Sequence, residues 1–325
     1  MLRKFAAFLT AVIIAAAWIP APAAVAAAAA EQDLAGRVII LDAGHGRGNS
    51  PGWAGYVEHE AMFKLAQNIK ALLEERGATV LMTRASARDV PLPVRTAKIN
   101  NWALREVRAA MRTAQREGTA PDGIQKDIDE ITRLLRIVQQ IIDDPDKYAP
   151  IYLNSPFDTA YKRKIHPDLQ KIFTYQDHPL IRENFLVISL HSNATGRPVN
   201  TSVNGANAFY ISNSDPKNKN YFVNYANEHR SSTFGRRLLR NIAPLGIRNR
   251  GVQENRYHMI REHNLPAVLV ENGFHTNAQD RAKLSSDTFL QRLAAVYADT
   301  ISDYFYTYRE PRSRIKTVHL SSVPQ

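Results

Sequence analysis

The chain has 325 residues, of which 44% are hydrophobic and 22% are charged, and these fractions are ordinary for a globular protein. It contains no cysteine, which excludes disulfides, thiolate metal ligands and a cysteine nucleophile, so any metal must be held by histidine or carboxylate side chains. The formal net charge is +11, and this balance suits an anionic surface such as a bacterial envelope or, alternatively, a nucleic acid.

The first thirty residues have the layout of a secretory signal. Residues 1–4 supply a positive start, residues 5–19 form an apolar run, and Pro20 precedes an alanine-rich tract that ends at Ala30. The run of 15 residues is shorter than the roughly 20 that a membrane-spanning helix needs. We therefore predict that residues 1–30 are a signal peptide and that no stable membrane span remains after cleavage. The chain is then exported, to the periplasm, the cell envelope or the medium, and export argues against nucleic acid as its partner.

The sequence after the signal opens with a strand–helix–strand pattern. Residues 38–46 read VIILDAGHG, a buried strand that ends on His45 between two glycines. A glycine-rich loop follows, and then come helical spacing over residues 61–76 and a second strand over residues 78–83. Another helix begins near residue 94. Side chains at the carboxyl end of the first strand lie where open α/β sheets bind ligands.

Residues 101–183 interrupt this alternation. A basic helical stretch at 102–116 is followed by an amphipathic stretch whose apolar stripe must bury one face. The stripe comprises Ile124, Ile128, Ile131, Leu134, Leu135, Val138, Ile141 and Ile142. We predict one domain at residues 36–307, interrupted by a helical insertion at 101–183 and followed by a C-terminal tail at 308–325.

The α/β alternation resumes after the insertion. The pattern predicts strands over residues 185–190, 206–211 and 267–270, and helices over residues 231–242 and 289–306. The predicted fold class is therefore α/β: a single domain with a mostly parallel twisted sheet flanked by helices, plus the helical insertion.

Three titratable side chains directly follow apolar strands. They are His45, His191 and Glu271, and they meet along one edge if the strands are parallel. Two imidazoles and one carboxylate form the ligand set of a hydrolytic zinc site, which leaves a fourth position open for water. Such a site also needs a base, so two acids are required. Glu58 or Glu60, ahead of the first helix, supplies the second.

The combination of motifs resembles one enzyme family. VIILDAGHG, an acid ahead of a helix, Thr83–Arg84, VISLHSNA and the stretch at residues 251–280 are similar, in this order, to the zinc-dependent N-acetylmuramoyl-L-alanine amidases (amidase type 3). The likeness covers residues 36–100 and 184–307. It implies a Zn²⁺ enzyme that hydrolyses the amide between the lactyl group of N-acetylmuramic acid and the L-alanine of the stem peptide in peptidoglycan.

The resemblance also implies roles for individual residues. His45 matches the first metal ligand, His191 matches the last, and Glu271 matches the acid that acts as catalytic base. Glu58 fits the middle ligand better than Glu60, because its distance to the glycine that ends the helix agrees with the family pattern without a gap.

Two further positions near these motifs have weaker implications. His59 is then expected to be a bystander, exposed at the start of the helix. Arg261 falls where the family often has an arginine near the substrate, although a surface salt bridge is the alternative.

The insertion suggests regulation by a partner. Cell-division members of the family carry a helical segment just before the strand of the last ligand, where it covers the cleft until a partner protein displaces it. We therefore predict that residues 101–183 form a lid that an activator displaces. An acid of this segment, Asp127, Asp129 or Glu130, could in principle fill the open zinc position. A permanently docked subdomain that widens the substrate groove is the alternative.

Two other functions remain open from the sequence. One is a zinc peptidase that cuts within the stem peptide, and the other is a non-catalytic protein that binds muropeptides or regulates another hydrolase. The presence of His45, Glu58, His191 and Glu271 together argues against a non-catalytic protein.

Overall fold

A six-stranded sheet forms the centre of the fold in the computed structural model, which describes residues 34–152, 165–212 and 227–308. The strands are β1 (Val38–Ala43), β2 (Gly52–Trp53), β3 (Tyr56–Val57), β4 (Thr79–Met82), β5 (Phe185–Asn193), β6 (Ala206–Tyr210), β7 (Asn249–Glu254) and β8 (Ala267–Phe274). The order in the sheet is β4-β1-β5-β8-β6-β7, and β2 pairs with β3 in a separate hairpin.

Helices cover both faces of this sheet. They are α1 (Glu58–Glu75), α2 (Leu92–Arg116), α3 (Ile124–Asp143), α4 (Pro145–Tyr148), α5 (Pro167–Gln176), α6 (Pro179–Asn184), α7 (Glu228–Ile242), α8 (His258–Arg261), α9 (Ala278–Leu284) and α10 (Asp287–Thr307), with 3₁₀ turns at Ala149–Ile151 and Ala243–Leu245. Helix α1 ends where the sequence predicts, because Gly77 takes a left-handed φ of 86° and its N–H bonds back to the Glu74 carbonyl.

Most strand pairs in the sheet are parallel, as the fold class predicts. β4, β1, β5 and β8 run parallel, whereas β6 pairs antiparallel with β8 and parallel with β7. Strands buried on both faces read as continuous apolar runs, which explains why VIIL in β1 and FLVISL in β5 lack polar alternation. The prediction of a mostly parallel α/β sheet is confirmed.

The helical segment packs as a layer on one face of the sheet. One hydrophobic core joins that face to α2, α3 and α5, and the other core joins the opposite face to α1, α7 and α10. The apolar stripe of α3 lies in the first core with Ile40 and Val187 of the sheet, so the chain buries this stripe itself. Helix α2 runs without interruption through residue 101, and the predicted domain boundaries therefore stay a prediction.

Along the face that α2 and α3 cover, side chains form three rows across the strands. The first row is Ile40, Val187 and Ala267, the second is Asp42, Ser189, Leu269 and Phe209, and the third is His191, Glu271 and Asn207. The rows change from apolar to polar toward the carboxyl ends of the parallel strands. This gradient places the polar row beside the loop that follows β1.

Two segments predicted from sequence lie outside the described residues. These are the signal peptide at 1–30 and all but the first residue of the tail at 308–325, and residues 153–164 of the insertion are likewise not described. In the part of the chain that is described, no helix is both long and apolar enough to span a bilayer.

Candidate metal centre

Three side chains from distant parts of the sequence converge at the polar edge of the sheet. The Glu58 Oε1 atom lies 3.3 Å from His45 Nε2 and 3.0 Å from His191 Nδ1. One ligand atom from each residue lies within 4.8 Å of the other two. This is the His, Glu and His set that the sequence suggests, with His191 inside β5 rather than just beyond it.

The geometry of the first loop explains the glycines on either side of His45. His45 has a left-handed φ of 57°, so the chain turns sharply at this residue. A Cβ atom on Gly44 would lie 2.5 Å from His191 Cε1, and one on Gly46 would lie 2.2 Å from the Asp89 Cα atom. Each glycine therefore makes room for a neighbour that approaches too closely for a side chain.

Glu58 is the buried member of the cluster. It is the first residue of α1, only 1% exposed, and its Oε1 atom also accepts the Ser192 backbone N–H at 3.0 Å. Burial alone would raise the pKa of Glu58, but hydrogen bonds from His191 and His45 outweigh it and lower the pKa to about 2. Glu60 is not part of the cluster: its side chain is 67% exposed, and its carboxylate lies 4.0 Å from the His59 ring.

The expectation that His59 is exposed is wrong. The residue is 5% exposed, and its backbone is held from both sides: its N–H donates to Ser50 Oγ at 2.9 Å, and its carbonyl accepts from Arg84 at 2.7 Å. These bonds keep the first turn of α1 against the loop that carries His45.

Two observations indicate that these three residues fit a zinc ion. The Glu58 Oε2 atom is buried without a hydrogen-bond partner, which is costly unless a cation satisfies it. His45 Nδ1 donates to the Asn49 carbonyl at 3.0 Å, so a metal ion would bind at Nε2, the nitrogen that otherwise faces Glu58 Oε1. Two neutral imidazoles and a carboxylate are a typical donor set for Zn²⁺.

Arg95, which sequence reasoning missed, holds the His45 loop with all five guanidinium N–H groups. They reach the carbonyls of Ala43 at 2.8 Å and His45 at 2.5 Å, and also the Val90 carbonyl and the carboxylates of Asp42 and Asp89. Nothing in the sequence near Arg95 signals this role, because its acceptors come from β1 and the two loops beside it.

Arg84 supports the same loop from another direction. It donates to the Ala43 carbonyl at 2.8 Å, to Gly44 at 3.3 Å and to His59 at 2.7 Å, so one side chain links the backbones beside both His45 and Glu58. The Thr83–Arg84 motif is the sequence signal for this position.

Asp42 balances the charge of Arg95 below the loop. It is 1% exposed and accepts from Arg95 at 3.0 Å and from Ser189 at 2.6 Å. Burial would raise its pKa, but the charge of Arg95 and the hydroxyls of Ser189 and Thr83 lower the pKa to about 2. Asp42 is therefore ionised at neutral pH.

Glu271 lies beside His191 in the third row of side chains. Burial, partly offset by the charge of His191, raises its pKa to about 7. Its Oε2 atom is buried without a hydrogen-bond partner. A carboxylate with such a pKa can accept and return a proton near neutral pH.

A cavity of about 320 Å³ opens beside these groups. It is lined by His45, His191, Glu271, Arg95 and Asp42, together with Asn49, Asp89, Val90, Pro91, Leu92, Tyr257, His258, Met259 and Leu269. Arg261 is not brought to this cavity, because it is fully buried and paired with Glu262 at 2.6 Å.

A hydrogen-bonded chain behind Glu58 was also missed by sequence reasoning. Tyr56 donates its hydroxyl to Ser192 Oγ at 2.9 Å, Ser192 Oγ lies 3.0 Å from His275 Nδ1, and the Tyr56 and His275 rings stack. Because the Ser192 N–H also donates to Glu58, these hydrogen bonds hold Glu58 from the side of the cluster that is away from the cavity.

Comparisons with known proteins agree with this geometry. A model of the N-acetylmuramoyl-L-alanine amidase family matches residues 39–106 and 144–303, more than half of the chain. The amidase LytC of Bacillus subtilis (strain 168) is 30% identical over 125 residues, which are 37% of this chain and 21% of LytC. The amidase CwlM of Bacillus licheniformis is 40% identical over 59 residues, 18% of this chain and 23% of CwlM. The matches thus span less than a quarter of each relative.

A solved structure shares the fold. The N-acetylmuramoyl-L-alanine amidase from Clostridium difficile 630 superposes with a TM-score of 0.50 at 14% identity, covering 83% of this chain and 97% of that one. Because the family model spans both stretches that carry the His, Glu and His cluster, the chain belongs to the N-acetylmuramoyl-L-alanine amidase family, amidase type 3.

Proposed function

We propose that this protein is an exported, zinc-dependent N-acetylmuramoyl-L-alanine amidase that acts on peptidoglycan. The observation that carries the proposal is the convergence of His45 Nε2, Glu58 Oε1 and His191 Nδ1, with Glu271 in the adjacent position on β8. Membership in the amidase family supports the choice of substrate.

The protein's own side chains would divide the work of the reaction. A zinc ion held by His45, Glu58 and His191 would supply a water of lowered pKa and would polarise the scissile carbonyl. Glu271 accepts a proton from the attacking water and returns it to the leaving nitrogen. Arg95 and Arg84 hold the backbone of the His45 loop in place during these steps.

The test is product identification on purified peptidoglycan, with and without a chelator. The amidase releases intact stem peptides with a free L-alanine amine and leaves unmodified glycan strands, and the chelator abolishes the release. Shortened peptides would instead indicate a zinc peptidase. Metal binding without any product would indicate a non-catalytic muropeptide-binding protein. The Glu271→Gln variant, assayed in parallel, excludes a contaminating hydrolase.

The regulatory lid at residues 101–183 and its activator stay a prediction, and the observed contacts favour the docked alternative. Glu130 pairs with Arg133 and Lys171. Asp127 accepts from Tyr175 and Asp129 accepts from Gln125, so all three acids bond within the helical segment instead of reaching the metal cluster. Hydrogen exchange tests the difference. Amides of α3 that exchange as slowly as those of β5 indicate a docked layer, whereas fast exchange of α3 alone indicates a lid.

A further inference from the structure

Two buried polar atoms that have no hydrogen-bond partner lie on directly opposite residues. These are Oε2 of Glu271 on β8 and Oδ1 of Asn207 on β6, and each is inaccessible to solvent. Asn207 as a whole is 5% exposed. A buried polar atom without a hydrogen bond is costly, so two such atoms on directly opposite residues call for a functional explanation.

The strand register brings the two side chains together. Asn207 and Glu271 are Cα partners in the antiparallel β6–β8 pair, and directly opposite residues of such a pair project to the same face with Cβ atoms about 5 Å apart. Glu271 is at the same time the partner of His191 on β5. The third row therefore runs from the metal cluster through the base to Asn207, without an intervening residue.

We propose that the side-chain amide of Asn207 positions Glu271 for catalysis by donating a hydrogen bond to its buried oxygen Oε2. Asn207 Oδ1 and Glu271 Oε2 are both acceptors, and a half-turn about the terminal torsion of Asn207 exchanges its oxygen for an N–H donor. With Oε2 occupied by that donor, Oε1 is left to face the cavity that Glu271 lines.

This arrangement determines which carboxylate oxygen of Glu271 accepts and returns the proton. This inference rests on the proposed amidase function. The water adds to the carbonyl carbon and gives one proton to Oε1. The C–N bond then breaks as Oε1 returns that proton to the nitrogen, which leaves a carboxylic acid and an amine. Because Oε2 accepts the Asn207 N–H throughout, the carboxyl group keeps one orientation in both protonation states, and Asn207 is a positioning residue.

Two substitutions separate hydrogen bonding from packing. Asn207→Leu keeps a similar size and adds no charge but loses the N–H donor, whereas Asn207→Ser is smaller but keeps a hydroxyl donor. We expect Asn207→Leu to lower kcat about 10- to 100-fold at nearly unchanged KM, with full zinc content, and Asn207→Ser to retain more activity than Asn207→Leu. Asn241→Ala, on α7 and away from the cluster, is the matched control and keeps wild-type kinetics.

A double-mutant cycle with the base excludes a purely structural role. If Asn207 acts through Glu271, Asn207→Leu causes no further loss in a Glu271→Gln background. An equal loss in both backgrounds, or activity that follows side-chain size so that Asn207→Leu is normal and Asn207→Ser is impaired, overturns the inference. The proposed amidase function fails separately, since in that case the wild-type enzyme itself releases no stem peptides.

Discussion

The buried pair of Asp42 and Arg95 offers a quantitative test of how the His45 loop is held. Both side chains are at most 2% exposed, and Arg95 links Asp42 to the carbonyls of Ala43 and His45. Removing one partner of a buried pair leaves an uncompensated charge, which costs about 3–5 kcal/mol. We expect Asp42→Asn and Arg95→Met each to lower the free energy of unfolding by roughly this amount.

The decrease of the free energy of unfolding at acid pH gives an independent estimate of what Asp42 contributes. The pKa of Asp42 is lowered from 3.8 to about 2 in the folded chain, so its ionised form stabilises the fold. At about 1.4 kcal/mol per pKa unit the contribution is about 2 kcal/mol. Because the folded pKa is the lower one, this stabilisation is complete above about pH 4 and disappears as the pH falls toward 2.

Urea unfolding of the metal-free protein, followed at several pH values, measures both effects. The difference between wild type and Asp42→Asn should shrink by about 2 kcal/mol between pH 4 and pH 2. The double variant Asp42→Asn/Arg95→Met should lose less than the sum of the single variants, by about 1–3 kcal/mol. A pH-independent difference together with additive losses would refute the idea that this ion pair holds the loop.

Three further predictions test the metal centre. Glu58→Gln should lose bound zinc while Glu60→Gln keeps it, measured by elemental analysis after dialysis, and the reverse result would move the ligand to Glu60. Glu271→Gln should keep zinc and lose about 10²- to 10⁴-fold in kcat on peptidoglycan, whereas loss of the metal would make Glu271 a ligand. Gly44→Ala should weaken zinc binding, because its Cβ would lie 2.5 Å from the His191 ring. Gly196→Ala is the control, since a Cβ there has open space around it and should leave zinc binding unchanged. Equal zinc affinity in the two variants would contradict the predicted clash between residue 44 and His191.

The sequence predicts the elements that depend on local pattern. Apolar runs of four to six residues and helical spacing locate β1, β5, β8, α1 and α10 to within a few residues, because these signals depend on the side chains of one segment. The ends are less accurate, since His191 and Glu271 continue the parallel pairing of β5 and β8 and so lie inside their strands.

What sequence reasoning missed depends on contacts between distant segments. Arg95 and Asn207 gain their roles from the strand register and from loops of other elements, which no local pattern encodes. The sequence predicts that the insertion starts at residue 101, but α2 runs through this position without interruption. Helix α2 tolerates Asn100 because this side chain bonds to Gln176 at 2.7 Å and to Tyr152 at 2.9 Å in the buried core.

The continuity of α2 connects the helical layer to the reaction centre. The first turns of α2 line the cavity with Leu92 and carry Arg95, which bonds to the His45 carbonyl. The later turns pair with α3, where Arg108 donates to Thr132 at 3.3 Å. Among the described residues, none from 101–183 lines the cavity, and the lid over the metal stays a prediction. A partner that displaced α3 would remove the support of α2, and we expect the effect to reach His45 through Arg95.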